Sequence, residues 1–387
     1  MKEVFKSPRL LEALVKVLEP KGQRLALLEG PSGCNRSCNY CTVPQRWDAE
    51  KASTLEQTRS QIDWLYDQGF RVLQYVGGEP LTPFFRTKEG LTFQQHTLEV
   101  VRYASREKGM LVNVTTNGDY ADEAVLKKLK EAGIDTLTFS LHSQSEAGFR
   151  RIIKGARMAA KARIPPIVSV VFTAGRADTI PEIAERCVEN GIIFATTIVQ
   201  EYGGGFSAVP EESQIPTVDQ QKEVFQRLKK LKEAGFIRNN TNYIEHATDF
   251  PNNSWKCDPN KDSFISIQGE GQGRISVCSE VHTGFEVGEI DLKDEKWRGE
   301  KQSLVHNCKN CLYSCTFESQ NPNLRGDFAT LCVMSHIKAG NAEAMEALGK
   351  RVVSTDPRVI NPILVFLAEH RFTKMKQQAS SPLRFLR

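Results

Sequence analysis

The residues best suited to chemistry are three cysteines held within one short segment, Cys34-Asn-Arg-Ser-Cys38-Asn-Tyr-Cys41. Thiolates are soft ligands, and a three-then-two spacing on one loop brings them to a common centre, as an iron–sulfur cubane requires. Three ligands leave one iron of a [4Fe–4S] cluster without a protein ligand. A small molecule can chelate that open iron and accept an electron from the cluster. A zinc site or an incidental cysteine cluster is the plainer alternative, but zinc motifs pair two Cys-x-x-Cys units, and the fourth local ligand is missing here.

A second cysteine set follows far downstream: Cys257, Cys278, Cys308, Cys311 and Cys315. Phe264-Ile-Ser-Ile267, a glycine-rich turn and Arg274-Ile-Ser-Val-Cys278 predict a β-hairpin, with Cys257 before it and Cys278 at its end. Cys187 lies on the apolar face of a predicted helix and Cys332 in the run Leu331-Cys-Val-Met. Both read as packing residues; Cys332 keeps a lesser reading as a ligand of a second cluster. The chain has ten cysteines in 387 residues and no signal-peptide core or membrane-length apolar run. It is therefore expected in the cytoplasm, where thiols stay reduced and clustered cysteines signify metal rather than disulfides. A formal charge of +4 gives no electrostatic case for binding nucleic acid, and the basic tail, with Arg371, Lys374, Lys376, Arg384 and Arg387, reads as a solvated helix and terminus.

These residues need a frame, and residues 24–205 supply one. β-rich runs at 24–28, 72–76, 110–114, 136–141, 167–172 and 193–199 alternate with amphipathic stretches, among them Thr58, Ile62, Leu65 and Tyr66 and later Ile180, Ile183, Ala184, Cys187 and Val188. Six such units predict an α/β chain with a parallel sheet, either doubly wound or a partial (β/α)6 TIM-like barrel. Both forms place ligands at the carboxyl ends of the strands. The polar and glycine-rich clusters all fall there: the Cys34 loop, Gly77-Gly-Glu-Pro80, Thr115-Thr-Asn-Gly118, Ser140-Leu-His-Ser143, Thr173-Ala-Gly-Arg176 and Gln200-Glu-Tyr-Gly203. Gly203-Gly-Gly205 lacks the lysine and helix start of a phosphate loop and reads as a plain loop.

The Cys-x-x-x-Cys-x-aromatic-Cys motif after the first strand, with Gly-Gly-Glu-Pro after the second, resembles the radical S-adenosylmethionine (SAM) superfamily over residues 24–205. The resemblance implies the partial-barrel form. It also implies that SAM chelates the open iron and that reductive cleavage gives a 5′-deoxyadenosyl radical, which abstracts a substrate hydrogen. Under it, Gly77, Gly78, Glu79 and Pro80 approach the methionine amino group, Tyr40 packs near the adenine, Asn117 and Ser140 contact ribose or carboxylate, and Arg176 pairs with the SAM carboxylate. A turn for Gly77–Pro80, and turn or surface polarity for Asn117, Ser140 and Arg176, are the competing readings. His142 touches SAM or substrate, or is a structural histidine. Glu201 and Tyr202 are candidate substrate contacts.

The later cysteines are similar to the SPASM extension, or its shorter twitch form, which carries auxiliary iron–sulfur clusters. Their Cys-x-x-Cys-x-x-x-Cys spacing departs from the full SPASM pattern. The resemblance therefore implies one auxiliary [4Fe–4S] cluster, with four of the five cysteines as ligands and Cys257 and Cys278 among them. A zinc ribbon fits the same ligand count. The expected organisation is an N-terminal helix (1–23), the barrel (24–205), a linker with a helix (206–250), a cysteine-rich β-hairpin and helical domain (251–325) and a helical tail (326–387). The expected partners are a flavodoxin- or ferredoxin-type electron donor and a small-molecule or cofactor-precursor substrate, since few residues precede the barrel to bind a peptide leader. A peptide maturase is the alternative. A non-enzymatic zinc or iron–sulfur module is the reading from another class.

Overall fold

The computed structural model describes residues 24–38, 41, 52–199, 214–250, 252, 255–278, 281–308, 312–322 and 324–354. The expected helix at 1–23, the tail beyond 354, Tyr40, Glu201, Tyr202, Gly203–Gly205 and Cys311 lie outside the described residues.

Six strands, β1 (Leu25–Glu29), β2 (Val72–Val76), β3 (Leu111–Thr116), β4 (Thr136–Ser140), β5 (Pro166–Phe172) and β6 (Ile193–Ile198), pair in parallel and in chain order. The order never reverses, so there is no switch point of the doubly wound kind. The sheet curls one way, as a partial barrel. Between the strands stand α1 (Leu55–Asp67), α2 (Phe93–Arg102), α3 (Glu123–Ala132), α4 (Glu146–Lys161) and α5 (Ile180–Glu189).

Local sequence fixes where these helices begin and end. Thr54 with Gln57 and Thr92 with Gln95 form capping boxes that satisfy the first free N–H groups of α1 and α2. Asp122 caps α3, which stops at Gly133 in the left-handed conformation, φ +102°. Alternate strand residues, such as Leu73, Tyr75, Val112, Val114, Leu137, Phe139, Val168, Val170 and Phe172, are buried against the helices in one core. Each such side chain contributes roughly 1.5–3 kcal/mol of burial. The opposite, inward positions are mixed: polar and neutral at Gln74, Asn113, Thr115, Thr138, Ser140, Ser169 and Thr197, apolar at Leu25, Leu27, Val72 and Val76, and acidic at Glu29. The Asn113 amide oxygen accepts from Thr136 at 2.9 Å and from Thr138 at 3.0 Å.

The predicted hairpin is present as β7 (Phe264–Ile267) and β8 (Arg274–Cys278), and β9 (Val281–Glu286) extends it. The hairpin is not detached from the barrel. β7 pairs in parallel with β1, Leu25 opposite Phe264 and Leu28 opposite Ile267, so all nine strands form one sheet. Two helices, α8 (Glu295–Asn307) and α9 (Ser314–Gln320), occupy a region whose sequence lacks helical periodicity. α8 buries only Trp297, Lys301 and Val305, too few apolar positions to write a stripe into the sequence.

Past β6 come α6 (Val218–Glu233) and α7 (Thr241–Ala247). The extended segment between them adds to the free edge of β6: Phe194 N–H donates to Phe236 O and Arg238 N–H to Phe194 O, both at 2.8 Å. α9 spans the remaining gap in the barrel. Its Glu318 carboxylate accepts from Arg238 at 3.2 Å, from the Asn239 side chain at 2.9 Å and from the Asn240 N–H at 3.3 Å. Phe317 beside it packs edge-on against Tyr243 and Trp255. The last described helices, α10 (Leu324–Lys338) and α11 (Ala342–Ser354), return to the barrel wall, where Lys338 pairs with Asp135 and Lys232 of α6 with Asp327. No helix among the described residues is long and apolar enough to cross a membrane.

Glu318→Ala leaves the Arg238 guanidinium and the Asn239 amide without their acceptor. Roughly 1.5–3 kcal/mol of stability should be lost, read as a lower urea midpoint at unchanged slope.

Candidate active site

The site is built from two loops that hydrogen-bond to one another as if they were strands. Beyond β1, Gly30 N–H donates to Val76 O at 2.7 Å, Gly78 N–H to Pro31 O at 3.1 Å and Glu79 N–H to Gly33 O at 2.9 Å. The glycines are needed for this. A Cβ on Gly78 would lie 2.0 Å from Gly33 O, and one on Gly30 would lie 2.1 Å from the Tyr75 hydroxyl. That hydroxyl is itself fixed by His96 Nδ1 at 3.0 Å, and Pro80 O accepts from the Thr97 hydroxyl at 2.7 Å. The close approach expected of Gly77 and Gly78 thus serves the backbone of the cysteine loop.

Glu79 is fully buried and its carboxylate is already engaged. One oxygen accepts from the Thr116 hydroxyl at 2.6 Å and Leu81 N–H at 3.0 Å, the other from Asn117 N–H at 2.6 Å. Burial pushes its pKa up to about 7, against the pull of these three donors. Glu79 therefore ties the β2 loop to the end of β3. Asn117 continues the tie, donating to Asn35 Oδ1 at 2.8 Å. Asn35 donates in turn to Asp119 at 2.9 Å, and Arg36 grips the same carboxylate with two bonds at 3.0 and 2.7 Å. Arg151 on α4 reaches Asp119 at 2.7 Å. Although burial opposes it, the bonds from Arg36 and Asn35 hold Asp119 below the usual carboxylate range.

Asn35, Arg36 and Asp119 went unassigned in the sequence. Their only trace there is polar residues inside the cysteine motif and an acid just after Thr-Asn-Gly.

On the far side of the rim, Ser140 ends β4, half-buried. Arg176 turns inward, is 4% exposed, and donates to Leu141 O at 2.9 Å and to His142 O. The residue expected to meet the SAM carboxylate thus clamps the end of β4. Burial, followed by the charges of Arg36 and Arg176, lowers the His142 pKa to about 4 and keeps its imidazole neutral. The structure therefore brings Gly77–Pro80, Asn117 and the cysteine loop together on one side, with Ser140, His142 and Arg176 along β4 and β5.

Cys34, Cys38 and Cys41 are all half-buried and reduced, and Cys41 N–H donates to Cys38 O at 3.0 Å. Burial raises the Cys34 pKa, a donor from the Arg36 backbone lowers it, and charge on Glu79, Cys41 and Cys38 raises it again. Among the described residues no three His, Cys, Asp or Glu side chains close around a single ion. A cubane binds each thiolate to a different iron, so its ligands stand farther apart than those of one ion. The donor set, three soft thiols on one tethered loop, fits such a cluster.

Cys257, Cys278 and Cys308 of the second cysteine set line one cavity together with Trp255, Val277, Leu304 and Thr316. Cys315 does not line that cavity but packs on the same apolar cluster as Cys257, Cys278 and Cys308, its sulfur 3.9 Å from Gln74 Oε1 on β2. Cys187 is completely buried in the core, as expected of a packing residue, and Cys332 lies half-buried on α10. Three thiols around one largely apolar cavity suit either a cluster or zinc in ligand type.

Residues 28–199 match the model of the Radical SAM superfamily. Fe-coproporphyrin III synthase of Methanosarcina barkeri is 29% identical over 215 residues, 52% of this chain and 51% of that protein, so the match spans about half of the relative's length. PqqA peptide cyclase of Granulibacter bethesdensis is 24% identical over 311 residues, 72% of this chain and 76% of that one. In fold, the chain is similar to Streptococcus suis SuiB bound to its precursor peptide SuiA (TM-score 0.54, 17% identity, 77% and 71% of the two chains). It is also similar to anSMEcpe with bound AdoMet and a peptide (TM-score 0.50, 16% identity, 73% and 82%).

Gly78→Ala should push the Ser32–Gly33 backbone away and lower the iron retained after anaerobic reconstitution, measured by iron assay beside the unaltered chain. Glu79 gives a pH signature. Its folded pKa of about 7 exceeds the 4.5 of an ordinary glutamate, so the folded chain keeps a proton that the unfolded chain has lost between those values. The stability of the cluster-free protein should fall as pH rises from 4.5 to 7. That slope should be absent in Glu79→Gln, followed by urea unfolding across the range.

Proposed function

Residues 28–199 place this chain in the radical SAM superfamily, and from that premise we propose that it cleaves SAM reductively at a [4Fe–4S] cluster held by Cys34, Cys38 and Cys41 and takes a hydrogen atom from a small-molecule or cofactor-precursor substrate. The observation that carries the proposal is the three-cysteine loop locked by backbone hydrogen bonds to Gly77-Gly-Glu-Pro80 at the carboxyl rim of a parallel barrel. Together, the bound cluster and SAM supply methionine and a 5′-deoxyadenosyl radical. The protein's own work is positional. Asn35 and Arg36, tied to Asn117 and Asp119, hold the cysteine loop against the end of β3. Ser140 remains on the rim where ribose or carboxylate contacts are expected, whereas the buried Asn117 side chain is engaged by Asn35 and the Asp119 N–H. α9 covers the gap between the two ends of the sheet and shelters the lumen from water. An electron donor of the flavodoxin or ferredoxin kind belongs to the same proposal.

A peptide substrate is the second reading, and one observation favours it. The inward strand positions carry the hydroxyls and amides of Gln74, Asn113, Thr115, Thr138, Ser140, Ser169 and Thr197, apolar Leu25, Leu27, Val72 and Val76, the carboxylate of Glu29, and no cation. Such a wall suits the hydrogen-bonding groups of a peptide better than a polyanionic precursor, which would call for cations. The 311-residue match to PqqA peptide cyclase, running well past the barrel, supports the same reading.

The reconstituted chain, reduced with dithionite and given SAM under anaerobic conditions, should release 5′-deoxyadenosine. Cys38→Ala should reduce the yield to background. A correctly loaded cluster that yields none, or normal turnover in Cys38→Ala, defeats the proposal. Deuterium transfer into 5′-deoxyadenosine from labelled candidates, small molecules in one arm and peptides in the other, separates the two substrate readings.

A further inference from the structure

Thr316 is a polar residue placed where polarity has no evident partner. It follows Cys315 on α9, is 2% exposed, and lines the cavity that holds Cys257, Cys278 and Cys308. Its hydroxyl is fully buried and has no hydrogen-bond partner among the described residues. The cavity wall around it is largely carbon, from Trp255, Val277, Val281, Leu304 and Val305. Helical hydroxyls ordinarily return to the carbonyl one turn back. Ser319 on the same helix does so, donating to Cys315 O at 2.6 Å. Thr316 does not, and a buried hydroxyl left unsatisfied is destabilising. Adjacent positions on a helix point about 100° apart, so α9 turns Cys315 toward Gln74 and Thr316 toward the cavity.

We infer that the Thr316 hydroxyl donates a hydrogen bond to a sulfur of the auxiliary cluster in the Cys257–Cys278–Cys308 cavity and thereby raises that cluster's reduction potential. The inference rests on the presence of that cluster. Sulfides and thiolates bring to the cavity the acceptors its wall lacks. A hydrogen bond to sulfur favours the more negatively charged, reduced form, so the potential rises. Thr316 is a positioning and tuning residue and makes no bond to iron.

The test uses the full chain, reconstituted, as wild type, Thr316→Val and Thr316→Ser. Iron near eight per chain is expected in all three. In a potentiometric titration followed by electron paramagnetic resonance, the auxiliary signal of Thr316→Val should move to lower potential, and Thr316→Ser should return it toward the wild-type value. An unchanged potential in Thr316→Val at equal iron content overturns the inference. Thermal unfolding gives a second readout. Valine should stabilise the cluster-free chain by removing an orphaned hydroxyl, and the gain should shrink or reverse once the cluster is bound. An equal gain in both forms overturns the inference. Iron near four with zinc in the unaltered chain overturns the auxiliary-cluster reading itself, and that outcome is seen before any substitution is made.

Discussion

Everything at the carboxyl rim depends on how closely two loop backbones approach each other. Gly33 O lies where the Cβ of any residue but glycine at position 78 would sit. The hydrogen bonds from Gly78 and Glu79 to Pro31 and Gly33 form only because that space is empty. They continue the β1–β2 pairing beyond the last strand residues, so the cysteine loop leaves the sheet as a tethered extension of it. A loop that must present several thiols to one inorganic core gains from such preorganisation, because ordering each free residue would otherwise cost about 1–2 kcal/mol of conformational entropy.

The polar residues around this contact act on the same loop. Glu79, buried beneath it, would be costly as an isolated charge. Donors from Thr116, Leu81 and Asn117 offset that cost while drawing the ends of β2 and β3 together. Asp119 is the second anchor, receiving Asn35, both arms of Arg36, and Arg151. Two carboxylates, one whose charge burial disfavours and one held ionised by guanidinium groups, thus tie the rim together, Asp119 directly and Glu79 through Asn117. Arg176 plays a comparable part at the other edge of the rim, fixing the end of β4 through carbonyl oxygens.

The barrel was legible in the sequence because its signals are local and repeated. Runs such as Val72–Val76 and Ile193–Val199 are short, β-branched and bounded by turns, and Thr54 and Thr92 announce helix starts. The cysteine motif was legible because its three thiols stand close together on one short loop. The roles of Glu79 and Arg176 were not, since a sequence does not show whether a rim side chain turns toward the lumen or back onto the backbone of the next strand. Nor was Asp119, whose partners Asn35 and Arg36 lie more than eighty residues away. α8 escaped notice because a helix that buries three residues leaves almost no period to detect. The different directions of Cys315 and Thr316 are likewise invisible as spacing, being set by the face of α9 on which each neighbour falls.

The pairing of β7 with β1 joins the two cysteine regions more closely than a separate downstream domain would. β1 delivers the Cys34 loop at its carboxyl end and carries the hairpin ending in Cys278 along its other edge. A shift in β1 therefore reaches both sites through hydrogen bonds in one sheet. α9 completes the circuit. It packs on β7, sends Cys315 toward Gln74 on β2, lines the second cavity with Thr316, and ties Glu318 to the chain beyond β6. The helix that covers the gap in the barrel is thus also a wall of the second cysteine site. The barrel lumen and the second cavity therefore share one seven-residue helix as a wall.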